Sequence, residues 1–437
     1  MGGDVNNALN PARIIEIREQ FRSKSISAQP AHCLNDRYKD AGCTRCVDAC
    51  PTGAIQLSPR TPVLDADQCV NCGLCLNVCP TSVFTQFQPM EGTLLKTVAQ
   101  LPNPVITLTC PLHPDPRRTR TPADMAVQHR RCLAALTADQ LLGMTARGKR
   151  TLWLDDSPCA DCPLGETHAV LLETVAAANA LLQAFGAEPA VHTLTDAEEK
   201  EDAGLRGASV LVPLVDGAQP RLSRRRLFGV FKQAAKDAAQ AVEEKAPPPP
   251  SADLPVDKRL PHRVPPARRR LNQQLHHLAS APDLASVEDE GERMVPTWPI
   301  PFAQVLVDED VCSACGLCSR FCPTDALPFE HDDAAFRLRF IPELCIDCGI
   351  CAKICPDDAI RFGDDLPTSA LTDSHGWMVA EGALASCAVC GTATADHPDE
   401  MGVVLCYACR PSASPTSGAD RSASLMADAL RRLARDE

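Results

Sequence analysis

Aromatic residues are scarce in this chain, 12 Phe, 3 Trp and 2 Tyr among 437 residues, so large rings cannot dominate its cores. No stretch approaches the ~18 consecutive apolar residues of a membrane-spanning helix. Residues 1–10 show neither the basic nor the apolar part of an export leader. Positive charge is in deficit as well: 43 Lys and Arg face 56 Asp and Glu, a formal net charge of -13. That balance argues against a nucleic-acid-binding surface as the main function. There is no G-x-G-x-x-G after a strand, no G-x-x-x-x-G-K-S/T loop and no H-E-x-x-H, so nothing marks a nucleotide, flavin or hydrolytic zinc site. The expected compartment is cytoplasmic, where thiols stay reduced.

Cysteine and proline are abundant, at 24 and 38 residues. The cysteines fall into six groups of four, an internal repeat that organises the chain. Three runs read C-x-x-C-x-x-C-x-x-x-C-P: Cys69, Cys72, Cys75 and Cys79; Cys312, Cys315, Cys318 and Cys322; Cys345, Cys348, Cys351 and Cys355. Two-residue gaps let a loop curl three thiolates around one iron-sulfur cubane, while the fourth reaches a neighbouring one. Structural zinc does not need four evenly stepped cysteines followed by proline. Gly73, Gly316 and Gly349 follow the second cysteine of each run, where a missing Cβ lets the backbone pass close to a cluster. A fourth, imperfect run holds Cys43, Cys46 and Cys50, with Asp40 where a first cysteine would stand and Cys33 ten residues before Cys43. Short strands are expected after each proline: 54–57, 83–85, 326–327 and 359–362.

On these runs the chain resembles bacterial-type ferredoxins with two 4Fe-4S clusters, twice over, at about residues 30–90 and 303–364. The family's crossed ligation implies clusters on Cys312, Cys315, Cys318 and Cys355; on Cys345, Cys348, Cys351 and Cys322; and on Cys69, Cys72, Cys75 and Cys50. For the fourth it implies Cys43, Cys46 and Cys79, with Cys33 on a longer loop as the fourth ligand. Ligation by Asp40, or a site with only three thiolates, is the alternative. His32 reads as a loop residue.

Between these modules, residues 105–109 and 151–154 read as strands ending near Cys110 and near Cys159 and Cys162. Residues 137–148 read as a helix capped by Thr137 and stopped by Gly148, 166–185 as a longer helix, and 190–194 and 210–213 as further strands. Alternation of this kind predicts a parallel sheet, whose carboxyl ends would gather Cys110, Cys132, Cys159 and Cys162. The region at 103–196 is similar to the small iron-sulfur (delta) subunit that links nickel-iron hydrogenase to heterodisulfide reductase. That resemblance implies a fifth cluster, 2Fe-2S or 4Fe-4S; structural zinc or buried free thiols are the alternatives.

Near the C-terminus, Cys387 and Cys390 face Cys406 and Cys409 across a spacing that fits a zinc ribbon, with a further cluster as the alternative and His397 as a surplus loop residue. Residues 219–300 have no cysteine, four prolines at 247–250, and 13 Lys and Arg against 5 Asp and Glu within 221–270. This reads either as a tether across an acidic surface or as a solvated linker. The twin-arginine motif around Arg224 and Arg225 lacks an apolar segment after it and is discounted. Helices are expected at 232–245 and 424–435.

The expected fold is α+β and multidomain: two ferredoxin-like modules flanking a small α/β domain, plus a zinc-ribbon-like module. Its divisions are a helical segment at 1–29, a two-cluster module at 30–95, the α/β domain at 96–218, the linker at 219–300, a second two-cluster module at 301–366, the ribbon at 367–412 and a tail at 413–437. Many redox centres with no substrate site point to an electron-relay subunit of a multisubunit oxidoreductase. The expected partner is a catalytic subunit, a molybdenum or tungsten formate or aldehyde oxidoreductase or a hydrogenase, with no nucleic acid and no transmembrane segment. A disulfide or thiol reductase using the middle cluster, and an oxygen-sensing assembly or regulatory protein, are the other readings.

Overall fold

A helix at Pro11–Phe21 begins on proline, whose fixed φ suits a first helical turn, and buries Ile14, Ile17 and Phe21 along one stripe. The computed structural model describes residues 9–21, 26–86, 90–146, 148–200, 204–218, 260, 262–281 and 293–410. The first module carries four short strands, β1 (Ile26–Ala28), β2 (Ile55–Leu57), β3 (Pro62–Leu64) and β4 (Phe84–Gln86). They pair antiparallel as β1 with β4 and β2 with β3.

The middle domain follows with β5 (Val105–Thr109), β6 (Arg118–Thr119), β7 (Ala126–Gln128), β8 (Thr151–Leu154), β9 (Val191–Thr193), β10 (Val210–Leu211) and β11 (Leu214–Asp216). Five of these form a parallel sheet in the order β11-β7-β5-β8-β9. The central strands are buried on both faces, through Ile106, Thr107, Leu108 and Thr109 of β5 and Leu152, Trp153 and Leu154 of β8, as a parallel sheet requires. Thr137 and Gln140 close a capping box on the helix Ala138–Met144, which ends before Gly148; that glycine instead makes a left-handed turn at φ 82°. The long helix is His168–Ala184. Residues 210–211 do not join the sheet: β10 pairs antiparallel with β6. Beyond Pro213, which has no N–H to offer a ladder, β11 takes the sheet edge.

The second module comprises β12 (Met294–Pro296), β13 (Gln304–Val307), β14 (Phe329–His331), β15 (Ala335–Phe340), β16 (Ile360–Gly363), β17 (Asp365–Pro367), β18 (Trp377–Ser386) and β19 (Ala393–Ala395). Ala326 and Leu327 are buried but form no strand; the chain becomes a strand at Phe329, where β15 supplies a partner. β14, β15, β18 and β19 make a four-stranded sheet that joins this module to the C-terminal cysteine pairs.

Within the segment read as a linker lies a 14-residue helix, Pro266–Ala279. Leu271, Leu275 and Leu278 are buried with Leu181 and Leu182 of the middle domain and with Ile300, Phe302 and Leu366 beside the second module. The helices expected at 232–245 and 424–435 lie outside the described residues. No helix among the described residues is long and apolar enough to cross a membrane.

Candidate metal centres

Backbone conformation repeats at each cysteine run. Asn71, Ala314 and Asp347, each just before the second cysteine of an intact run, have φ of 58°, 56° and 48°, and Gly73, Gly316 and Gly349 just after it are also left-handed. Two left-handed residues bracketing one cysteine turn a two-residue gap into a tight curl. Two residues past the proline of each cysteine-proline step, Gly53, Ser82, Asp325 and Asp358 are left-handed as well. That turn aims backbone N–H groups at sulfur. Val83 N–H donates to Cys79 Sγ at 3.3 Å, Ala326 N–H to Cys322 Sγ at 3.2 Å and Ala359 N–H to Cys355 Sγ at 3.3 Å. Donors of this kind favour thiolate and lower the charge that a bound cluster presents.

The fold gathers the cysteines in fours. Cys312, Cys315, Cys318 and Cys355 line one small cavity, and Cys322, Cys345, Cys348 and Cys351 line another, with the last cysteine of each run crossing to its neighbour. Burial, with the like charges of Cys72, Cys69 and Cys50, holds the Cys75 thiol well above its ordinary value. Burial likewise pushes Cys46 up to about 12, with Cys79, Cys43 and Cys33 adding to it. Cys33 reaches its group through a clamp. The buried Asn35 side chain donates to the Cys43 carbonyl at 2.8 Å and accepts the Cys43 N–H at 2.8 Å, while Asp40 is exposed. His32 instead meets Arg263, whose Nη1 stands 3.1 Å from its Nδ1.

In the middle domain, β5 delivers Cys110, β7 leads to Cys132 and β8 to Cys159 and Cys162, all at the carboxyl edge of the sheet. Burial pushes Cys110 up to about 12, with the like charge of Cys132 adding to it, and Cys159 is raised by burial and then by Cys132 and Cys110. At the C-terminal end the sulfur atoms of Cys387, Cys390, Cys406 and Cys409 lie within 4.8 Å of one another. Cys390 and Cys406 are 3.6 Å apart, close to the ~3.8 Å edge of a tetrahedron with metal–sulfur bonds of about 2.3 Å. Against the opposing effect of burial, N–H donors from Cys406, Cys390 and Val389 hold the Cys387 thiol down at about 6. His397 is not among these four.

Neighbouring groups share apolar clusters. Cys72 is buried in the cluster against which Cys110, Cys132 and Cys162 pack. Leu34, Ala41 and Ile350 form one apolar cluster against Cys43 of the first module and Cys348 of the second. Arg37 fastens that junction: it donates to the carbonyls of Phe321 at 2.7 Å and Cys322 at 2.8 Å. Tyr38 packs edge-on against Phe321, and Arg45 donates to the Asp347 carbonyl at 2.8 Å. Cys318 acts on Cys351. The C-terminal pairs sit on the Cys312 loop through Thr394, which donates to the Ser313 carbonyl at 2.9 Å, and through Tyr407 beside Cys315. Sequence reasoning does not find Arg18, Arg37, Arg131 and Arg268 at the cysteine loops. Arg131 precedes Cys132, a faint signal; Arg268 falls in the segment whose composition reads as a tether.

The 4Fe-4S dicluster domain family matches residues 41–83 and 311–359. A ferredoxin of Methanothermococcus thermolithotrophicus is 35% identical over 51 residues, 11% of this chain and 85% of that protein. An uncharacterized ferredoxin of Methanocaldococcus jannaschii is 31% identical over 65 residues, 15% of this chain and 40% of that protein. A ferredoxin of Alicyclobacillus acidocaldarius is 33% identical over 54 residues, 12% of this chain and 63% of that protein. The chain belongs to the ferredoxin family, and its two dicluster domains imply 4Fe-4S clusters and an electron-transfer role.

Proposed function

We propose, from membership of the ferredoxin family and the line of adjoining sites, that this chain is the electron-relay subunit of a multisubunit oxidoreductase. The carrying observation is the order of the cysteine groups. From one end they run Cys110, Cys132, Cys159 and Cys162; then Cys50, Cys69, Cys72 and Cys75; Cys33, Cys43, Cys46 and Cys79; Cys322, Cys345, Cys348 and Cys351; and Cys312, Cys315, Cys318 and Cys355. Consecutive groups share apolar clusters: Cys72 with Cys110, Cys132 and Cys162; Cys50 and Cys75 with Cys33, Cys46 and Cys79; Cys43 and Cys348 at the Leu34–Ile350 cluster; and Cys318 with Cys351. A carrier that simply shuttles needs no such line.

Four 4Fe-4S clusters fit the four ferredoxin-type groups and an iron-sulfur cluster fits the middle group; when bound they exchange single electrons. The protein's part is to bury the sulfurs, direct N–H groups at them and keep the groups adjacent. The last four cysteines, Cys387, Cys390, Cys406 and Cys409, suit zinc, which has no redox chemistry there and would brace the end of the line. Resemblance of the middle domain to a hydrogenase-linked subunit favours a catalytic partner at that end: a hydrogenase, or a molybdenum or tungsten formate or aldehyde oxidoreductase.

Anaerobic native purification followed by metal analysis and mass spectrometry tests this reading. The expected result is roughly 18 to 20 iron atoms with about one zinc per chain, co-eluting with a large catalytic subunit. Roughly 24 irons without zinc would overturn the zinc assignment. A stable, fully loaded chain that never associates with a catalytic subunit would overturn the relay.

A further inference from the structure

Between the two ferredoxin-like modules and the middle domain lies a cleft of about 790 Å³, within the roughly 300–1,000 Å³ usual for small-molecule sites. Its walls come from the first module at 45–49 and 77–80, from the helices His168–Ala184 and Pro266–Ala279, and from 297–303, 346–347 and 362–363. The cleft adjoins two of the cysteine groups. Cys79 lies in one wall. Ile346, Asp347 and Phe362 form another, and the same three residues line the cavity of Cys322, Cys345, Cys348 and Cys351. One layer of residues therefore separates the cleft from that second group.

Aromatic rings, scarce elsewhere in the chain, gather here as Trp298, Phe302 and Phe362. Trp298 is 73% exposed and Phe362 43%, and neither stacks on another ring among the described residues. Phe302 gives one face to the Arg268 guanidinium at 4.0 Å. Arg268 is buried and donates Nη2 to the Pro301 carbonyl, while its Nη1 has no hydrogen-bond partner among the described residues. A buried donor left in that state costs free energy until an acceptor arrives. The surrounding charges select the acceptor. Asp48, Asp139, Glu173 and Asp347 line the cleft against Arg45 and Arg268 alone, and Arg270, beyond the lining, binds Asp139 at 2.8 Å. Acidic groups still outnumber basic ones, which disfavours a phosphate-bearing cofactor or other anion. A neutral ring with carbonyl oxygens fits.

We infer that the cleft binds a quinone, its ring against Trp298 and Phe362 and one carbonyl oxygen accepting from Arg268. The inference rests on the reading that the Cys33/Cys43/Cys46/Cys79 and Cys322/Cys345/Cys348/Cys351 groups hold 4Fe-4S clusters. The quinone takes one electron from each of these clusters in the reduced state and two protons from water entering the open cleft. Two O–H bonds form, quinol leaves, and both clusters are left oxidised. Two one-electron sites in separate walls thus serve one two-electron carrier, which gives the line an outlet at its middle as well as at its ends.

Equilibrium dialysis and calorimetry of the full, anaerobically prepared chain with dimethylnaphthoquinone test this; both open carbons of that quinone ring are methylated, so cysteine thiols do not add to it. The expected result is saturable binding at a single site. Trp298→Leu, at an exposed position, weakens binding about two- to tenfold for the lost ring contact. Ala267→Phe, at a half-buried position in the cleft wall, fills the cleft and weakens binding by roughly tenfold or more. Both variants keep the iron content of the unaltered chain. After reduction with dithionite, the quinone restores cluster absorption with one quinol formed per two electrons, and Ala267→Phe slows that step by roughly tenfold or more. No saturable binding, preferred binding of flavin mononucleotide, or both variants binding and reoxidising as the unaltered chain does, overturns the inference. Iron well short of four cubanes overturns the cluster reading instead, and binding to the oxidised chain then still decides whether the cleft takes the quinone.

Discussion

Alanine placed at Gly73, Gly316 and Gly349 makes a matched series, because the three glycines occupy the same motif position and share a left-handed backbone. Each substitution costs about 1–2 kcal/mol for forcing an L side chain into that conformation. Their surroundings differ. The new Cβ at Gly349 meets nothing within 4 Å, at Gly316 it lies 3.1 Å from the Phe329 ring, and at Gly73 it falls 2.8 Å from Ala135 Cβ and 2.9 Å from Arg131. Phe329 can yield by a few tenths of an ångström, whereas Ala135 and Arg131 are buried between two domains. Overpacking of that kind adds about 1–3 kcal/mol, so Gly73→Ala should lose about 2–5 kcal/mol and Gly349→Ala only about 1–2 kcal/mol. The measurement is the urea midpoint for loss of cluster absorption, together with the rate at which a chelator removes iron. Since 1.4 kcal/mol is about tenfold in an equilibrium, the added overpacking of about 1–3 kcal/mol should make opening of the Cys72 loop exceed opening of the Cys348 loop by roughly fivefold or more. Equal losses at the two positions would refute the packing of the middle domain onto the first module.

Two other outcomes are expected. Cys33→Ser should lower the iron content by up to about one cluster, roughly four irons, while Asp40→Asn leaves it unchanged; the reverse, read by iron analysis and absorption, would move the fourth ligand to Asp40. His129 is buried and its pKa is brought down to about 4, chiefly by burial, with Glu91 opposing and Arg131 adding. The unfolded chain binds that proton near pH 6.5 and the folded one does not, so stability present above 6.5 is lost as pH falls towards 4. Between pH 7 and pH 5 the loss is about 2 kcal/mol. His129→Gln should remove that part of the slope in paired urea titrations, and identical slopes would refute it.

The sequence alone determined what depends on local chemistry. Cysteine spacing, the following proline and the glycine after the second cysteine are properties of a dozen consecutive residues. They marked the loops at 69–80, 312–323 and 345–356, where the family match later fell on the same regions. Alternating strands and helices likewise made the middle sheet's parallel arrangement legible, although β7, a three-residue strand, and β11, beyond Pro213, are too short to carry a period.

Only the tertiary structure decided what depends on residues far apart in the chain. Cys33 has no motif linking it to Cys43; the buried Asn35 clamp brings it there. Arg37 lies far from Cys322 in sequence and binds its carbonyl, and Arg268 stacks on Phe302 out of a segment whose composition reads as a tether. The order of the cysteine groups belongs with these. A run specifies its own loop through backbone turns of a few residues, but which loop faces which is set by apolar surfaces such as Leu34, Ala41 and Ile350. Those surfaces become adjacent only when separate parts of the chain are buried together.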